Sequence, residues 1–190
     1  MMGLFTTRQD LNLKKMEARI LKVAKLDGET FRELRDDPSA TAQSVFLVAI
    51  VALSYGAGWS LFSFLVGEIS ILGISTITLA NFAAGIGIAF AWSGASFVIL
   101  TKLFRRNISY LELARPFFFS WSPGLLFIFM FAPIPVVSDA IRAVSTAWVI
   151  IANVFAVKNA AGISVQRSML TFIISTISLF FVGSLILSFI

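Results

Sequence analysis

The chain has 190 residues, 58% of them hydrophobic and 13% charged, with a formal net charge of +5 and neither cysteine nor histidine. Without those two residue types there are no thiolate nucleophiles, disulfides or cysteine-linked lipids, no imidazole acid–base chemistry, and none of the usual zinc or haem ligands. Uncharged runs over 38–67, 69–101, 116–138 and 168–190 each exceed the ~20 residues that cross a ~30 Å hydrocarbon core. Together with a mean hydropathy of +0.91, they predict an integral membrane protein.

Residues 1–40 read as a cytoplasmic N-terminal arm in two parts. From Arg8 to Lys25, six basic residues outweigh Asp10 and Glu17. Leu13, Met16, Ile20 and Val23 recur at helical spacing and share one face. A basic amphipathic helix in the headgroup plane fits this pattern, with Lys14, Lys15, Arg19, Lys22 and Lys25 as lipid-surface cations; the alternative is a helix packed on the protein itself. From Leu26 to Ala40 the sign reverses, with Asp27, Glu29, Glu33, Asp36 and Asp37 against Arg32 and Arg35. Gly28 is expected to break the first helix. A second, acidic helix then runs to Pro38, as either a partner-binding face or a solvated connector. The first apolar run lies behind this whole arm, too far in for a cleavable signal peptide.

Residues 41–190 read as a five-helix transmembrane domain. The first span, about 41–62, is capped by Ser39 or Thr41. The second, about 76–100, is rich in small residues; Ala83, Gly87 and Ala91 at spacings of four let helices approach closely in lipid, or mark a dimer face. This makes it the expected central helix. A Ser109-x-x-Glu112 capping box starts a short helix before the aromatic third span, about 116–137, which contains Pro116 and Pro123. The fourth span, about 138–157, is capped by Ser138 and carries Asp139 and Arg142 as an interfacial ion pair. The fifth covers about 168–190. Of the fifteen Lys and Arg, fourteen lie in the arm, the second loop or the fourth loop, and Arg142 alone lies elsewhere. Because cytoplasmic loops retain positive charge, the pattern predicts an inside N-terminus and an outside C-terminus.

No catalytic constellation is apparent: a nucleophile with its base, or paired carboxylates, is missing from every run. No catalytic residue, cofactor or metal site is therefore expected, and the protein reads as a non-enzyme. Asn81 and Asn153 are the deepest strongly polar residues, expected to bond between helices, and the Ser and Thr of the last span can bond to their own helix. The aromatic residues are mostly phenylalanines in apolar runs rather than base-stacking partners of a basic patch, so no nucleic-acid partner is expected.

Three stretches carry a family resemblance: FRELRDDPSAT over 31–41, SYLELARPFFFSWSP over 109–123, and IPVV at 134–137 followed by AVKNAAGISVQRS over 156–168. In their order and spacing the chain resembles the Ypt-interacting protein (YIP) family, in its prokaryotic branch, over about 31–190. The resemblance implies an all-α bundle of five membrane helices with a cytoplasmic arm. Eukaryotic members bind prenylated Rab-type GTPases and carry an acidic Asp-Leu-Tyr-Gly-Pro motif in the arm, which this chain lacks, so the partner stays open. The expected role is a membrane organiser or adaptor in contact with lipids and with other membrane subunits or a second copy. An accessory subunit of a larger complex and a small transporter or channel are the alternatives. A prokaryotic cytoplasmic membrane is expected ahead of a eukaryotic endomembrane.

Overall fold

The computed structural model describes residues 12–188, and among them every regular element is helical. Arg8 and Asp10 of the arm and the last two residues of the expected fifth span lie outside that range. In chain order the elements are α1 (Leu13–Ala24), α2 (Gly28–Asp36), α3 (Ala40–Leu65), α4 (Ile71–Val98) continued by a π-helical turn (Ile99–Leu103), α5 (Tyr110–Phe119), a 3-10 helix (Ser122–Phe129), α6 (Pro135–Ala161) and α7 (Val165–Ser188). Four helices are long and apolar enough to cross a membrane: Ala40–Leu65, Ile71–Leu103, Pro135–Ala161 and Val165–Ser184. The chain is therefore a multi-pass membrane protein by length and composition.

The third apolar run does not form a continuous helix. Pro123 has no N–H to donate and disfavours α geometry at Ser122, so α5 stops at Phe119 and the chain resumes as a 3-10 helix. At about 1.5 Å per residue in α5 and about 2.0 Å in the 3-10 helix, the two pieces add to roughly the thickness of a hydrocarbon core. Arg115 of α5 donates to Thr41 at the start of α3. At the other end Phe131 packs edge-on against Tyr55 and Trp59, with ring centroids 5.3 and 5.2 Å away. The interrupted segment thus follows α3 from its first turn to its C-terminal half.

Several expected boundaries move. The break after α1 is made by Leu26, at φ 60°, rather than by Gly28, which opens α2. The amides of Leu26 and Asp27 bond back to Val23 and Lys22, the paired closure normally left to glycine. Ser39 precedes α3 without a side-chain cap, and Thr41 serves Arg115 instead. Ser138 caps nothing: α6 begins at Pro135, where a missing N–H costs no helical bond, and the Ser138 hydroxyl donates to the Pro135 carbonyl. The Ser109–Glu112 capping box is present in both directions.

The centre of the bundle also differs. In α4, 22% of the apolar window is buried, against 39% in both α3 and α6. The small residues that bring helices together are not those of the expected stripe: Ala83, Gly87 and Ala91 are exposed, and a methyl group at Gly87 would meet nothing. Close approach falls on the opposite side of α4 and along α3. A methyl at Gly85 would lie 2.9 Å from the Ala52 Cβ, and one at Gly58 would lie 2.7 Å from the Ile128 carbonyl oxygen. Asn81 and Asn153 donate to Ile77 and Val149 of their own helices rather than across an interface. Thr171, Ser175, Thr176 and Ser184 likewise bond back within α7.

Candidate functional site at the arm–bundle junction

The densest polar constellation lies where α1 and α2 meet the first turn of α3. Three residues of α1, Met16, Arg19 and Val23, turn inward, while Leu13 is 57% exposed. Met16 and Val23 join Phe31 and Leu34 of α2, Leu47 and Val51 of α3, Phe119 and Ala156 in one apolar cluster. Met16, Ile20 and Val23 of the apolar side of α1 are therefore packed on the protein, and Leu13 is not.

Arg19, placed by sequence among the lipid-surface cations, is instead 2% exposed. Its guanidinium donates to Gln43 Oε1 at 2.7 Å, to Glu33 Oε1 at 2.7 Å and to Asp37 Oδ2. Its Nε is buried without an acceptor. A planar fork with five donors suits this three-way junction as an ammonium would not. One side chain thereby ties α1 to α2, to the α2–α3 turn and to α3. Lys15 adds a second cation, 2.9 Å from Asp37 and 3.8 Å from Glu33. Lys14, Lys22 and Lys25 remain exposed on the outer side of α1.

Two further contacts close the junction. Trp148 of α6 donates its indole N–H to the Ala24 carbonyl at 2.9 Å, satisfying an end carbonyl of α1. Arg115, 8% exposed, reaches the Thr41 hydroxyl at 2.8 Å and the Arg35 carbonyl at 2.7 Å, joining α5 to α2 and α3. Nearby, Arg106 donates to the Ala161 and Gly162 carbonyls, both at 3.0 Å, where Gly162 leaves α6 in the left-handed conformation.

Burial alone would push the Asp37 carboxyl up. Hydrogen bonds from Lys15, Ser39 and Arg19 overcome it and hold the group well below the usual carboxylate range. A carboxyl depressed on folding contributes stability above its unfolded pKa of about 3.9 and loses it as pH falls towards the folded value. Docking of α1 should thus be unchanged between pH 8 and pH 5 and weaken below about pH 4. Spin labels at Lys22 and Val144 would report this as a distance that is constant at neutral pH and broadens in acid.

The Yip1 domain matches residues 25–187. The chain belongs to the Yip1 family. The match begins at Lys25, the residue that ends α1, and takes in α2, the capping box, the interrupted segment and α6. No curated protein and no solved structure matches the chain.

The other sequence-derived residues of this Yip1-family chain lie apart from the junction. Asp139 and Arg142 sit in the first two turns of α6, with 3.7 Å between charged atoms and side chains 70% and 52% exposed. Arg142 also donates to the Met130 carbonyl at 3.4 Å. A solvated pair of this kind is worth about 1 kcal/mol or less. Replacing Asp139 with asparagine should therefore leave thermal stability in detergent within a few degrees of wild type; a large loss would give the pair a structural role beyond its own contact. Among the described residues no cluster of three metal-ligating side chains occurs. Arg19, Gln43 and Trp148 were not separable by sequence as junction residues, because their partners lie between 14 and 124 residues away.

Proposed function

We propose that this Yip1-family protein is a non-enzymatic membrane organiser or adaptor of the prokaryotic type, resident in the cytoplasmic membrane. The reading has it cross the membrane five times, with α5 and the 3-10 helix together making the third crossing, the N-terminus inside and the C-terminus outside. The observation that carries it is the Arg19 junction, which makes α1 and α2 a fixed part of the bundle rather than a tether. Held there, α1 presents Lys14, Lys22 and Lys25, and α2 presents Glu29 and Arg32, all exposed. That is a rigid platform at the inner surface, with a basic side suited to anionic lipid and a mixed-charge side suited to a soluble partner.

The accessory-subunit reading draws support from a different surface. Gly87 and Ala91 of α4 face Phe180 and Gly183 of α7 across an open groove of about 590 Å³, a shape that admits another helix in lipid. Native mass spectrometry from mild detergent separates the two. A monomer or dimer that retains anionic lipid, and loses it when Lys14, Lys22 and Lys25 become glutamine, supports the organiser. A stoichiometric set of other subunits with no lipid preference supports the alternative.

A further inference from the structure

Two membrane-length helices stop at one polar cleft. The spans Ile71–Leu103 and Pro135–Ala161 end beside it, and it is lined by Arg105, Arg106 and Asn107 of the α4–α5 loop and by the last turn of α6. Arg35 and Asp36 of α2 and Glu112 of α5 complete the walls of a space of about 490 Å³.

The charges in this cleft do not cancel. Arg35 holds the Asp36 carboxylate with two hydrogen bonds, at 2.7 and 2.9 Å. Glu112 accepts from the Ser109 amide at 2.6 Å. Both acids are thus engaged, while Arg105 and Arg106 form no ion pair among the described residues. Arg106 gives its Nε and one terminal nitrogen to the Ala161 and Gly162 carbonyls. Those bonds fix the plane of the guanidinium and leave the other terminal nitrogen without an acceptor. Arg105 is exposed, and its side chain donates to nothing among the described residues.

The backbone at Arg105 adds an independent sign. It stands at φ 50°, just past the π-helical turn, which the Arg106 amide closes by bonding back to Leu100 at 2.9 Å. Glycine is the usual occupant of a left-handed residue that ends a helix. An arginine there is conformationally unfavourable, which points to a use for its side chain. Two adjacent guanidiniums without carboxylates suit a phosphate, whose oxygens match the donor fork. Where two spans end, the hydrocarbon also gives way to the headgroup layer.

We propose that the cleft binds a phosphate group through Arg105 and Arg106, with Arg106 oriented in advance by the end of α6. An anionic lipid at the span ends and a soluble phosphate compound supply the same chemistry. The site is separate from the lysines of α1, none of which lines it.

Dioctanoyl phosphatidic acid, sn-glycerol 3-phosphate and dioctanoylglycerol, titrated calorimetrically into the full chain in maltoside detergent, test the site. Phosphatidic acid should bind saturably and dioctanoylglycerol should not. Glycerol 3-phosphate binding as tightly would assign a soluble ligand, and its failure to bind would assign a lipid; the phosphate site stands in either case. Arg105→Gly relieves the left-handed backbone, so thermal stability should hold or rise. Binding should nevertheless weaken roughly tenfold or more, the loss expected for one charge-assisted contact. Arg105→Asn, which also tolerates that backbone, should behave alike. With Lys14, Lys22 and Lys25 all changed to glutamine, lipid held by α1 is removed and one site per chain should remain. Binding that survives both Arg105 variants, that vanishes with the α1 lysines, or that dioctanoylglycerol shares would overturn the site. So would the absence of saturable binding by either phosphate probe.

Discussion

Replacing Arg19 with alanine should detach α1 from the bundle while leaving the membrane helices in place. The substitution strands Gln43, 1% exposed, without its donor and removes the buried one of the two cations shared by Glu33 and Asp37, leaving Lys15. Breaking a buried pair by removing one partner costs about 3–5 kcal/mol. Glu33 and Asp37 keep 44% and 22% side-chain exposure and can rehydrate, so about 3 kcal/mol, the low end of that range, is expected. The native chain has no cysteine, which makes a single thiol at Val23, fully buried in the apolar cluster, a clean reporter. At about 1.4 kcal/mol per tenfold, labelling of Val23→Cys should accelerate roughly 100-fold in the Arg19→Ala background. Arg19→Lys should fall between, because it keeps charge and loses the fork. Equal labelling in both backgrounds would show that Met16, Val23 and Trp148 hold α1 without the guanidinium.

Gly58→Ala should be the most damaging methyl addition in the bundle. The new Cβ would lie 2.7, 2.9 and 3.1 Å from the oxygen, Cα and carbonyl carbon of Ile128. All three are backbone, so no side chain can rotate away and α3 must separate from the 3-10 helix. Overpacking of this kind costs about 1–3 kcal/mol and sometimes more. The same change at Gly87, where the added carbon meets nothing, is the matched control. Thermal unfolding in detergent should drop by several degrees for Gly58→Ala and stay put for Gly87→Ala. If Gly87→Ala instead shifts the protein from dimer to monomer with no loss of thermal stability, the exposed stripe of α4 is an interface between copies.

What the sequence revealed, and what it hid, follows the range of the forces involved. The uncharged runs over 38–67, 69–101 and 168–190 and the capping box are local or compositional, and each has its counterpart in the helices observed. Arg19 was hidden for the opposite reason: in sequence it is one more cation on a basic stretch, and what distinguishes it is Gln43, 24 residues on. The small residues of α4 were legible as a composition but not as a direction. Gly85 and Gly87 look alike in sequence, yet a methyl at the first would meet Ala52 of α3 and one at the second would meet nothing. Pro116 and Pro123 announced a disturbance in the third run. They gave no sign that it would become a 3-10 helix with Ile128 packed against Gly58 of α3, because that contact is remote in sequence. Leu26 at positive φ was illegible, as leucine has no local preference for that conformation.

The number of crossings is the claim on which the rest depends, and the interrupted segment decides it. Single cysteines at Glu68, Arg106, Ile134 and Arg167, and one appended after Ile190, should be treated in intact cells with a membrane-impermeant thiol reagent. Five crossings predict labelling at 68, at 134 and after 190, and protection at 106 and 167. If α5 and the 3-10 helix turn back instead of crossing, α6 and α7 invert: 134 and the C-terminal cysteine become protected and 167 becomes reactive. That pattern would contradict the account.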